Sequence, residues 1–112
     1  MMDESDPHSL EAAIAQIRYF AKIENVRLTL HAHQEMVEED ISMNEVLESL
    51  TDGQILENYP EHQRGSCCLV YGATHKGRPL HSVCTTSKPV SIIITVYEPK
   101  LPKWLTPTQR SR

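Results

Sequence analysis

At Gly53 the spacing of apolar residues changes, and that change restricts the chain to a helix-then-sheet α+β fold. Before it, Leu10, Ala13, Ile14, Ile17, Phe20 and Ala21 recur every three or four residues, which lines one side of a helix. After it the period shortens to two, in segments 54–59, 67–73, 78–85 and 90–97. Thr74-His75-Lys76-Gly77 and Ser87-Lys88-Pro89 are short enough to be tight turns. The segments therefore predict a four-stranded, mostly antiparallel meander. The run from Val90 to Tyr97 is rich in β-branched residues, which predicts an inner strand apolar on both faces.

In the first half, Ser9 opens a helix that Asn25 stops, 27–30 is a short extended segment, and 31–40 is a second short helix. Ser42-Met43-Asn44-Glu45 is a capping box, in which hydroxyl and carboxylate each bond the other residue's backbone N–H. The helix it starts turns Val46, Leu47 and Leu50 inward and ends at Asp52-Gly53. The predicted architecture is helices packed on one face of the sheet, with Trp104 folded back onto it. Residues 1–8 read as a flexible N-terminus, 9–105 as one domain and 106–112 as a disordered tail.

The net charge of −4 conceals a division. Residues 1–61 sum to −11 and residues 62–112 to +7. A basic sheet half beside an acidic helical half points to an anionic ligand for the sheet. No run approaches the roughly 20 apolar residues of a membrane span, and the acidic start Met1-Met2-Asp3-Glu4-Ser5-Asp6 is unlike a secretory signal, so a cytoplasmic protein with no membrane association is expected. Cys67, Cys68 and Cys84 are odd in number, and two are adjacent in a strand, where their side chains take opposite faces. They read as small buried hydrophobes. A zinc site with His62 or His81 lacks a Cys-x-x-Cys pair, so no metal or cofactor is expected.

Chemistry-bearing side chains are His31, His33, Glu35, Arg64, Lys76, Arg78, His81 and Tyr97. Metal-free RNA cleavage needs a base for the 2′-hydroxyl proton, a cation for the phosphorane charge and an acid for the leaving oxygen. His, Arg or Lys, and Tyr can fill those roles. Strict alternation puts Arg78 and His81 on opposite faces unless a bulge intervenes. His31 and His33 diverge on a helix. No Gly-rich phosphate loop, Gly-x-Ser-x-Gly elbow or dinucleotide fingerprint is present.

Leu30-His31-Ala32, Met36, Ile41-Ser42, Glu45-Val46, Gly53, Glu57-Asn58-Tyr59-Pro60, Gly77-Arg78-Pro79-Leu80-His81 and Thr95-Val96-Tyr97-Glu98-Pro99 together resemble domain-of-unknown-function family 4258, over about Arg27 to Trp104. That family is similar to the RelE, MqsR and BrnT ribonuclease toxins, which set helices on an antiparallel sheet. The resemblance implies an RNA endonuclease held in check by a small antitoxin, often one with a zinc-binding Cys-x-x-Cys domain. It implies His31, Arg78, His81 and Tyr97 as the catalytic set. Glu35 stands where the family tends to have arginine, and Glu39-Asp40 where it tends to have Arg-Gly.

The expectation is a metal-independent toxin-like ribonuclease in which Arg64, Lys76, Lys88 and Lys100 bind RNA, with homo-oligomerisation open. The alternative is a non-catalytic domain that keeps the fold and binds a protein partner.

Overall fold

In the computed structural model, residues 9–63 and 65–111 are described; the expected flexible segment 1–8 and the candidate Arg64 lie outside the described residues. Helix α1 (Leu10–Lys22) starts where the Ser9 hydroxyl accepts the N–H of Ala12 at 3.0 Å, and it buries Ala13, Ile17 and Ala21. Strand β1 (Val26–Leu28) follows, then α2 (Leu30–Glu39), capped by Thr29 through the N–H of Ala32. Helix α2 ends at Asp40, whose φ of 54° is left-handed. Glycine is the residue that adopts that conformation at least cost, and aspartate is among the few others that tolerate it. Helix α3 (Met43–Thr51) has both bonds of the expected capping box, Ser42 N–H to Glu45 Oε1 at 3.0 Å and Glu45 N–H to Ser42 Oγ at 3.1 Å.

The four expected strands are β2 (Gln54–Tyr59), β3 (Cys67–Ala73), β4 (Pro79–Thr85) and β5 (Ser91–Tyr97), and they pair as an antiparallel meander. The sheet has five strands, however, in the order β1-β5-β4-β3-β2. Strand β1 lies parallel to β5, matching Val26 to Ser91 and Leu28 to Ile93. Three residues in an extended segment give too little alternation to announce a sheet strand, so the four-stranded antiparallel expectation was one strand short and missed the mixed pairing. Strand β5 is inner only because β1 is present. It is not apolar-buried on both sides: Ile93 is buried, while Ile92 and Ile94 are half-buried.

Residues 106–111 are not a disordered tail. Strands β6 (Trp104–Thr106) and β7 (Gln109–Arg110) form a hairpin, and Trp104 is buried. Exposed polar sequence with a proline gave no periodic signal; the hairpin is held by a few side chains described below.

The core lies between the helices and one sheet face, built around Ile17, Leu50, Leu80, Ile93 and Val96. Cys68 and Cys84 belong to it, whereas Cys67, also buried, points to the other face. Helix α3 approaches β3 so closely that a Cβ on Gly72 would stand 1.7 Å from the backbone oxygen of Ser49. Among the described residues no helix is long and apolar enough to cross a membrane.

Candidate functional site

Strand β1 covers the outer edge of β5 only as far as Ile93. Beyond it, α2 takes over. Glu35 Oε1 accepts the backbone N–H of Val96 at 3.0 Å, and Glu39 Oε1 accepts that of Glu98 at 3.0 Å. Residues four apart on a helix rise ~6 Å, close to the ~6.6 Å between alternate residues of a strand, so two helical carboxylates continue the ladder that β1 leaves off.

Between this edge and the segment 100–104 opens a cavity of about 420 Å3. Glu35, Glu39, Tyr97 and Glu98 form one wall; Lys100, Lys103 and Trp104 contribute to the other. Burial pushes the Glu35 carboxyl above its ordinary range, against the opposing pull of the Val96 N–H and of His31. His31 Nε2 lies 3.2 Å from Glu35 Oε1, with the imidazole largely in solvent. Glu98 is neutralised by Arg78, whose Nε donates to it at 2.7 Å.

Tyr97 joins this cavity to the helix-free face of the sheet. Tyr71, His81 and Tyr97 are directly opposite one another across β3, β4 and β5. The His81 ring is completely buried. Its Nε2–H donates to the Pro107 carbonyl at 2.6 Å, and its Nδ1 lies 3.1 Å from the Tyr97 hydroxyl. A carbonyl only accepts, so Nε2 carries the proton and Nδ1 accepts from Tyr97, which in turn accepts from Trp104 Nε1–H at 3.2 Å. Burial holds His81 below its ordinary pKa and raises that of Tyr97. The imidazole is neutral and both nitrogens are engaged.

Arg78 faces the helices instead. Its guanidinium donates to Glu98, to Glu45 at 3.3 Å and to the carbonyls of Asp40 at 2.9 Å and Glu39 at 2.7 Å. It ties the end of α2 and the start of α3 to the end of β5, using its planar fork where a lysine has one point charge.

Of the expected site residues, Tyr97 and Lys100 line the cavity. His31, His81 and Arg78 each stand one residue behind its wall, through Glu35, Tyr97 and Glu98 respectively. Lys76, in the β3–β4 turn, and Lys88, at the opposite end of the sheet, do not line it. Glu39, Glu98, Lys103 and Trp104 were not among the expected site residues. The run Lys100-Leu101-Pro102-Lys103-Trp104, basic and aromatic just past a strand end, was the available signal. Among the described residues no group of three or more His, Cys, Asp and Glu side chains could hold a metal ion.

A family model described as "Domain of unknown function (DUF4258)" matches residues 28–98 of the chain. No curated protein and no solved structure matches it.

Proposed function

We propose, from the premise that this chain belongs to the DUF4258 family, that it is a metal-independent endoribonuclease acting at the cavity beside β5, and that a small antitoxin restrains it. The observation that carries the reading is one cavity lined by a carboxylate of raised pKa, a tyrosine and two lysines. Glu35 takes the proton of the 2′-hydroxyl, and a carboxyl shifted upward is better matched to that task near neutral pH than an ordinary one. The O2′–P bond forms as the P–O5′ bond breaks, and Tyr97 turns its hydroxyl proton from His81 Nδ1 to the leaving 5′-oxygen. The product is a 2′,3′-cyclic phosphate. Lys100 and Lys103 neutralise the phosphorane charge. His31 holds Glu35 in place. Arg78 and His81 are positioning residues, acting through Glu98 and Tyr97.

One observation favours the non-catalytic alternative: Arg78 and His81 are both consumed by internal bonds, as they would be in a scaffold. Purified wild type and Glu35→Gln, incubated with a labelled single-stranded RNA in chelator, separate the two. Cyclic-phosphate ends from wild type, reduced ~10²-fold or more in Glu35→Gln, are expected. Intact RNA with wild type rejects the nuclease.

A further inference from the structure

The helix-free face of the sheet carries a row of rings, of which only Tyr97 reaches the cavity. Tyr71, His81 and Tyr97 sit on three neighbouring strands in register, with centroid distances of 6.1 Å and 5.2 Å. The two tyrosines are half-buried; the histidine between them is sealed by the C-terminal hairpin. Trp104 stands edge-on to His81 at 4.4 Å.

The hairpin is short. Its own ladder has two rungs, Trp104 to Arg110 and Thr106 to Gln109, too few to be stable alone. It is held by Trp104, by the Pro107 carbonyl and by Arg110. Arg110 donates to Glu57 on β2 at 2.5 and 2.7 Å and lies 4.7 Å from the centre of the Trp104 ring. The contacts it makes on the row are those a nucleobase makes. An aromatic ring meets His81 edge-on, a carbonyl accepts the His81 Nε2–H, and a ring N–H donates to the Tyr97 hydroxyl.

We infer that Tyr71, His81 and Tyr97 form a binding surface for an unpaired RNA base, and that residues 104–111 occupy it as an intramolecular stand-in that RNA displaces. The rings are tilted 74° and 63° to one another, so each offers a face or an edge to a base, and a base can reach them only when freed from its duplex. Base edges generally offer an acceptor beside a donor, so the surface takes single strands with little sequence preference. Tyr97 belongs to both places, so a base on the row puts its phosphate beside Lys100 and Lys103. The inference rests on the ribonuclease reading for its biological role, but the binding it describes does not require cleavage.

The test uses the full chain and two variants that cut the hairpin's ion pair from either side, Arg110→Ala and Glu57→Gln. Fluorescence anisotropy with a labelled oligouridylate, and with a fully paired duplex of equal length, reads binding; diethyl pyrocarbonate modification reads exposure of His81. Both variants are expected to expose His81 and to bind the oligouridylate about tenfold tighter than wild type, with no gain for the duplex. Tyr71→Leu added to Arg110→Ala should remove that gain. The inference is overturned if His81 stays protected in both variants, if exposure brings no tighter binding, or if Tyr71→Leu changes nothing. It is overturned equally if circular dichroism shows both variants unfolded, since the hairpin is then part of the core. Tight binding without any cleaved product instead rejects the nuclease and keeps the surface.

Discussion

The carboxylate of Glu35 and the backbone N–H of Val96, 61 residues apart, meet at 3.0 Å, and this bond sets α2 along a strand edge that would otherwise be open. An open edge is a row of unsatisfied backbone groups ready to pair with another chain. Here the same carboxylate closes the edge and faces the cavity.

Glu35→Ala should leave the Val96 N–H without a partner and cost about 1–3 kcal/mol. Glu35→Gln keeps an accepting oxygen and should cost less. Amide hydrogen exchange at Val96 is the direct measure: faster in the alanine variant, near wild type in the glutamine one. Because burial raises the Glu35 pKa, the folded state holds that proton more tightly than the unfolded chain. Stability should therefore fall as pH rises from the ordinary carboxyl range through the raised value. Urea midpoints that do not differ between wild type and Glu35→Gln across that window would contradict the assignment.

Arg78→Ala should act as a stability variant. It removes the donor that closes α2 and leaves Glu45 and Glu98 facing one another, an expected loss of about 2–3 kcal/mol. The slope of RNA affinity against salt should not change, because the guanidinium is spent on protein groups rather than on a phosphate. A shallower slope in Arg78→Ala would restore the phosphate-binding role expected from the sequence.

Lys100→Ala and Lys103→Ala should behave in the opposite way. If RNA binds at the cavity, each substitution takes away one cation that neutralises a phosphate, so the log–log salt slope should shrink in magnitude by about one, with little change in melting temperature. Lys88→Ala, at the far end of the sheet, should leave the slope as it is. Equal effects from all three lysines would mean that RNA binding is diffuse and not centred on the cavity.

His81 gives a pH signature. Its folded pKa lies below the ordinary value because burial disfavours the imidazolium. The unfolded chain thus binds the proton more readily, and the stability this group contributes is complete above about pH 6.5 and is lost as pH falls through the depressed folded value. His81→Phe should flatten that part of the stability profile. An unchanged acid limb in the variant would show that His81 does not titrate on unfolding in the way its burial requires.

Gly72→Ala is the severest substitution expected. The added methyl would sit 1.7 Å from the Ser49 oxygen, which is backbone and cannot swing aside, so α3 would have to lift from β3. A loss of about 3 kcal/mol or more, or failure to fold, should follow in denaturant titration. A midpoint equal to wild type would mean that α3 and β3 pack less closely than this approach requires.

Local chemistry was legible in the residues. The capping box at Ser42 and Glu45 needs only a hydroxyl, a carboxylate and a three-residue spacing, and both of its bonds form. The two-residue periods of β2 to β5 and the turns between them fixed the meander, because a one-residue slip would turn every apolar side chain outward. Alternation also assigned Arg78 and His81 to opposite faces. What the residues could not disclose were meetings between distant segments. Val26–Leu28 became a sheet strand because the edge of β5 was there to receive it. Segment 106–111 became ordered because Glu57, some fifty positions earlier, holds Arg110. Tyr97 and Lys100 came to line one cavity, while Arg78, in the same basic half, was drawn to the helices by four acceptors that no local spacing announces. Helices, turns and faces follow from forces acting within a few residues; edges, lids and cavities depend on which backbone and side-chain groups remain unsatisfied once those elements pack, and only the tertiary structure decides that.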